Sequence, residues 1–359
     1  MRPGGACCRD RRDRSGTTRA SGEERVLRAA ILTGPERIEV RTVPPPASRD
    51  PLVRIRSVGI CGTDQKIFHG AIPVGYPRVM GHELSGEVAV APPGSGVSVG
   101  SRVLVDPGIT CGTCRQCREG RGNICTRGWL IGRDRDGGLR EVLDVPATNL
   151  HTLPPSLDHD VAPLLQVLAT CVHAQQRSPV AAGESVVIVG LGVTGLLHLQ
   201  LAKHRGASPV VCVTRNEAKL ELARRLGADV TVRAGESGGS DRVAGATGGG
   251  ADLVIECAGT VATLASAIEV ARIGGRILSY GTISEVEGAL PFYDLYYKEL
   301  AITNARSALA ADFPAAITAV AERHVQLAPL VSHRFELDEV EEAIRVGGEG
   351  GSLKVLIEV

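Results

Sequence analysis

The run Val186-Val187-Ile188-Val189-Gly190-Leu191-Gly192-Val193-Thr194-Gly195 constrains this chain more than any other stretch. Four β-branched residues make a short buried strand. The G-x-G-x-x-G that follows allows a tight turn, close backbone approach to a pyrophosphate, and a helix start aimed at that anion. Residues 195–204 supply an apolar helix and 210–213 the next strand; further apolar runs stand at 253–256, 276–279 and 300–303, with a helical segment at 216–226. This alternation predicts an α/β unit: a doubly wound parallel sheet covered by helices, with a ligand crevice at the carboxyl ends of its strands. Gly190, Gly192, Val193, Thr194 and Gly195 are its expected dinucleotide contacts, joined by Gly281 just past the 276–279 strand.

At about 150 residues per domain, 359 residues leave room for a second unit. Residues 28 to 153 have a different texture, short apolar runs cut by Gly and Pro at 38–43, 52–58, 83–90, 102–105 and 139–145, which reads as an irregular β domain. After residue 310 come a helix to about 323, a strand, a helix at 337–346 and a last strand at 353–359, expected to return to that first domain. The expected division is therefore 26–178 plus the return segment 311–359, with 179–310 as the nucleotide-binding unit. Residues 1–25 carry seven Arg, four acids and almost nothing large and apolar, and are expected to be a disordered extension.

Forty basic against forty acidic side chains give no net charge, which removes the global field needed to hold nucleic acid or an acidic membrane. Aromatics are only 3%, too few for stacking on single strands, and no apolar run reaches the roughly 18 residues of a membrane span. Small-molecule partners in the cytoplasm are the expectation. Ten cysteines without an apolar secretory segment favour metal or thiol roles over a disulfide framework.

Cys111, Cys114, Cys117 and Cys125 form C-x-x-C-x-x-C-x7-C in a Gly-rich, basic loop. Four thiolates saturate a tetrahedral Zn2+ and leave no position for substrate, so such a site staples a loop; two disulfides or an iron–sulfur cluster are the alternatives. A second group is Gly59-Ile60-Cys61-Gly62-Thr63-Asp64 followed by Gly81-His82-Glu83. Cys61 and His82 suit direct metal ligation, with Asp64 and Glu83 as carboxylates behind them. Each alone would read as a core residue. At the end of the second nucleotide-domain strand, Thr214, Arg215 and Asn216 stand where an NAD site often carries an acid. Nothing there repels a 2′-phosphate and Arg215 can pair with one, which predicts NADP(H); a solvated Arg215 with either cofactor accepted is the alternative.

With these motifs in this order, residues 28 to 359 resemble the zinc-containing medium-chain alcohol and polyol dehydrogenases, in their sorbitol, threonine and glucose dehydrogenase-like branch. The resemblance implies a GroES-like irregular β-barrel catalytic domain around an inserted Rossmann domain, and two zinc ions, one catalytic and one structural. It implies Cys61 and His82 as ligands of the catalytic zinc and Glu83 as an additional one. The family's third ligand, a Cys or a Glu, aligns on Gln166, a poorer donor, so Glu83, water or Cys171 is expected to supplement it. Thr63 resembles the hydroxyl that passes the substrate proton outward. Where many relatives continue with a His this chain has Lys66, so Lys66, His69 or water takes that place. Homodimers or homotetramers built through the nucleotide domain are implied, as is a polyol, sugar or amino alcohol substrate. A zinc-free quinone or alkene reductase and a non-catalytic NADPH-binding protein are the competing readings.

Overall fold

The computed structural model describes residues 26–359; the expectation for 1–25 lies outside these residues. Six parallel strands form one sheet in the order Val230–Arg233, Val210–Thr214, Val186–Val189, Ala251–Glu256, Ala271–Ser279, Ala301–Asn304. The chain starts in the middle at Val186–Val189, runs outward one way, then returns to build the other half. That reversal opens a crevice at the carboxyl ends of Val186–Val189 and Ala251–Glu256. All four residues of the central strand are buried, as a strand covered on both faces must be. Helices Val193–His204 and Glu217–Arg225 follow their strands; Asn216 caps the second, its side chain accepting from Lys219 N at 3.1 Å.

A second, mostly antiparallel sheet centres on Leu52–Ile60, flanked by Glu83–Val90 on one side and Lys354–Glu358 on the other. The return of the chain to its first domain is thus a matter of strand pairing, with Val355 opposite Ile60 and Glu358 opposite Ser57. The expected strand at 139–145 is reduced to Val142–Asp144. Leu139 instead crosses between two elements, its carbonyl accepting from Ala30 N at 2.8 Å and its N–H donating to Met80 O at 3.0 Å.

Helix Leu164–Arg177 joins the units. It buries eleven residues, among them Gln166, Cys171 and His173, and packs against helices Val193–His204 and Asp312–Ala321. One apolar cluster runs from this helix into the parallel sheet and a second fills the antiparallel sheet, so the cleft between the two sheets is framed by packed walls.

Candidate active site

The first metal group assembles from two loops. Cys61 is the N-cap of the short helix Gly62–Phe68, and Asp64 in its first turn accepts from Cys61 N at 2.9 Å. The other Asp64 oxygen accepts from Gly81 N at 3.3 Å, so one buried carboxylate pins the loop that carries Cys61 to the loop that carries His82. Ligand atoms of Cys61, His82 and Glu83 all lie within 4.8 Å of one another. His82 Nδ1 stands 3.4 Å from Asp64 Oδ1 without the alignment of a hydrogen bond, and Cys61 is the ring's other charged neighbour. Burial alone would lower the pKa of His82; the charges of Asp64 and Cys61 outweigh it and hold it well above the usual histidine value. Burial likewise works against the Asp64 carboxylate, and His82 with the Cys61 and Gly81 amides keeps its pKa below normal. A carboxylate behind an imidazole that has a thiol beside it is the donor arrangement a zinc ion takes up.

Glu83 has a partner that motif reading missed. Lys354 Nζ donates to Glu83 Oε1 and Oε2 at 2.8 and 2.6 Å and to Ile60 O at 3.0 Å, deep in the sheet. The one signal was a lysine placed before the apolar run Val355-Leu356-Ile357 of the terminal strand. Gln166 is buried and makes no side-chain hydrogen bond among the described residues. Cys171 is not part of the group: its sulfur lies 3.8 Å from the Tyr280 hydroxyl and 3.9 Å from Thr194 O, and burial pushes its pKa up to about 12. The thiols of Cys212 and Cys257 are also pushed up by burial.

Thr63, two residues past Cys61, lines a cavity of about 700 Å³ together with Thr282, which follows the Ala271–Ser279 strand. The cavity is thus shared by the helix that follows Cys61 and the end of the parallel sheet. His69 faces elsewhere: it ends its helix in a 2.7 Å contact with exposed Glu36 and borders a different depression, so it does not extend a path from Thr63. Lys66 is half-buried on the same helix, with no side-chain partner among the described residues.

The four other cysteines converge in a lobe closed by the pair Gly108–Ile109 and Trp129–Leu130. Four of their six sulfur–sulfur distances are 3.4 to 4.0 Å, the rest are within 4.8 Å, and all four are free thiols, which excludes disulfides among them. A tetrahedron with Zn–S of about 2.3 Å has edges of about 3.8 Å. Backbone N–H groups of Cys111 and Cys114 point at the sulfurs of Cys125 and Cys111, and the Cys111 pKa is pushed down to about 5, chiefly by the Thr113 backbone. These groups fit a metal.

On the nucleotide side, Gly190 holds φ +93° and Gly192 caps helix Val193–His204, so the turn, Val193, Thr194 and Gly195 lie at the crevice of the parallel sheet. Thr214 ends the neighbouring strand and exposed Arg215 follows it. Gly281 N donates to Glu256 O at 2.9 Å, which brings its backbone across the adjoining strand end.

Two family models match: a zinc-binding dehydrogenase model over residues 193–322 and an alcohol dehydrogenase GroES-like domain model over 47–155. A zinc-type alcohol dehydrogenase-like protein of Haemophilus influenzae is 33% identical across 88% of this chain and 93% of its own. A sorbitol dehydrogenase of Halalkalibacterium halodurans is 29% identical across 90% of this chain and 96% of its own. Among solved structures, a zinc-binding dehydrogenase of Sinorhizobium meliloti bound to NADP superposes with a TM-score of 0.87 at 34% identity, covering 93% of this chain and 99% of its own. The chain belongs to the zinc-containing medium-chain alcohol dehydrogenases, enzymes that move a hydride between NAD(P) and an alcohol.

Proposed function

We propose that this chain is an NADP(H)-preferring dehydrogenase of polyols, sugars or amino alcohols, with Cys61, His82 and either Glu83 or Gln166 holding its catalytic zinc. The observation that carries the reading is the convergence of Cys61, His82 and Glu83 from two loops beside a cavity that also touches the nucleotide sheet. Residues 179–310 serve as the nucleotide-binding unit, and 26–178 with 311–359 as the catalytic unit. When bound, zinc supplies the Lewis acidity that lowers the pKa of a substrate hydroxyl, and the nicotinamide accepts the hydride.

The residues do the rest. Asp64 holds the Cys61 loop against the His82 loop and faces the imidazole with its charge, and Lys354 holds the Glu83 carboxylate in place. Thr63 stands at the cavity to carry a proton away from the substrate hydroxyl, and Lys66 or water receives it. Val193, Thr194 and the helix they begin hold the pyrophosphate, with Thr214 and Arg215 toward the 2′-phosphate. The NADP of the Sinorhizobium protein and the substrate named for the Halalkalibacterium relative support the cofactor and the substrate class. Cys111, Cys114, Cys117 and Cys125 hold a structural zinc. The free thiols suit the cytoplasm. An exposed sheet edge at Ala301–Asn304 supports a homodimer or homotetramer.

The test is turnover by purified protein with NADP+ and NAD+ against polyols, aldoses, cyclitols and amino alcohols, with and without a zinc chelator. Expected are two zinc ions per chain, activity lost to the chelator, and kcat/KM at least tenfold higher with NADP+. A tenfold preference for NAD+ refutes the cofactor assignment. Thr63→Val is expected to lower kcat about tenfold or more at neutral pH, within the range of general acid–base effects. Full turnover in that variant removes Thr63 from the proton path.

A further inference from the structure

Among the described residues, the cavity beside Thr63 has one cation without a counter-ion. Two arginines line it, Arg133 and Arg306. Arg133 is committed to Asp134, at 3.1 Å and 2.8 Å from its two oxygens. The exposed Arg306 guanidinium has no acidic partner among the described residues. Asp106, the only acid lining the cavity among the described residues, is buried with one oxygen accepting from Gly108 N at 2.8 Å, and the charge that acts on it is Asp312 rather than Arg306.

An unpaired surface arginine is ordinarily just solvated. Here its backbone is built with unusual care. Ser307, the next residue, holds φ +57°, a left-handed conformation that costs a side-chain-bearing residue energy and persists only where neighbours enforce it. The enforcement comes from three elements. Asn123, inside the four-cysteine lobe between Cys117 and Cys125, donates from Nδ2 to Arg306 O at 2.8 Å and to His173 Nε2 at 3.1 Å. His173, buried on helix Leu164–Arg177, donates from Nδ1 to Asp312 Oδ2 at 3.1 Å. Asp312 Oδ2 accepts from Leu309 N at 2.7 Å. Both ends of the 306–309 turn are thus held through one buried histidine, and the turn presents Arg306 to the same cavity as Thr63 and Thr282.

We propose that Arg306 binds an anionic group on the substrate, a carboxylate or a phosphate, at the end of a polyhydroxy chain away from the reacting carbon, and that Asn123 positions it. This rests on the dehydrogenase reading and narrows its substrate class. A guanidinium pairs with either anion through two parallel N–H donors, which gives geometric selection as well as affinity.

The test uses three substrates with one carbon skeleton: D-sorbitol, D-gluconate and D-sorbitol 6-phosphate. At least one charged member is expected to show kcat/KM tenfold or more above sorbitol, and which one distinguishes a carboxylate from a phosphate. Arg306→Gln is expected to erase that advantage through KM while leaving sorbitol within threefold. Asn123→Ala is expected to raise KM for the charged substrate alone, with kcat and zinc content unchanged. Equal use of all three, or an equal loss on all three in Arg306→Gln, overturns the proposal and leaves the dehydrogenase reading standing. Trp129, the sole tryptophan of the chain, lines the same cavity and reports binding by its fluorescence without turnover. If nothing is oxidised with either cofactor, the dehydrogenase reading fails. Quenching of Trp129 by gluconate or sorbitol 6-phosphate in wild type but not in Arg306→Gln then still sustains the anion site, and no quenching overturns it.

Discussion

The Glu83–Lys354 pair shows what a single residue contributes to this site. Both side chains are almost fully removed from water, at 1% and 5% exposure, and the Lys354 ammonium donates to both Glu83 oxygens and to Ile60 O. Burial opposes the ammonium, and Glu83 with Cys61 and Asp64 reverses the balance, so its pKa stands above normal. Removing one member of such a pair leaves an uncompensated buried charge and costs about 3–5 kcal/mol. Lys354→Met, which keeps the volume, is expected to lower the unfolding free energy by about that amount in urea titrations with a chelator present. Adding Glu83→Gln should recover at least half of the loss. A single variant within about 1 kcal/mol of wild type would show that another group compensates the carboxylate. The four clustered cysteines were legible because thiolates at short spacing suit one small ion, whereas Cys61 and His82, 21 residues apart, were picked out by the motifs that carry the family resemblance. Lys354 was not: its partner lies 271 residues away, and one sequence carries no record of that pairing.

At the scale of elements, legibility followed periodicity and turn chemistry. Four of the five parallel strands read from the sequence appear within two residues at each end, because such strands are nearly uninterrupted apolar runs; the fifth, read at 276–279, begins at Ala271, and Val230–Arg233, broken by Thr231 and Arg233, went unread. Helix Leu164–Arg177 was not read as an element: eleven of its residues are buried, and its polar stripe, Gln166, Thr170, His173 and Arg177, is itself partly buried, so it does not mark a solvent face. The Gly-rich turn was read correctly as a pattern, and the structure separates the work of its glycines. A Cβ on Gly195 would collide with Gly190 O, whereas one on Gly192 meets nothing within 4 Å. Gly195 therefore serves the packing of helix on strand, while Gly192 leaves open space at the crevice, where the proposed cofactor would approach. Gly192→Ala is expected to keep the wild-type melting temperature while weakening NADP(H) binding at least tenfold by calorimetry. Gly195→Ala should lower both, with a melting temperature several degrees down. Equal melting temperatures for the two variants would contradict this division.

For the whole molecule, the unfinished surface is the end of the parallel sheet. Ala301–Asn304 is its last strand, paired only on the side of Ala271–Ser279, and three of its four residues are exposed. Beside it in sequence, Phe292, Tyr293, Tyr296 and Tyr297 expose 59 to 79% of their surface on one short helix, an apolar display that a monomer rarely leaves to water. Nothing in the strand blunts the edge, since it carries no proline, lysine or bulge. Two copies related by a two-fold axis could pair these edges antiparallel and continue the sheet from one subunit into the next. The chain is accordingly expected to sediment as a dimer or tetramer. Thr303→Pro, which deletes one edge N–H without touching the cleft, should shift it toward monomer in light scattering while NADP(H) binding persists. If wild type is monomeric at micromolar concentration, or if Thr303→Pro leaves the assembly intact, the edge is not the interface, and the tyrosine-bearing helix becomes the surface to mutate next.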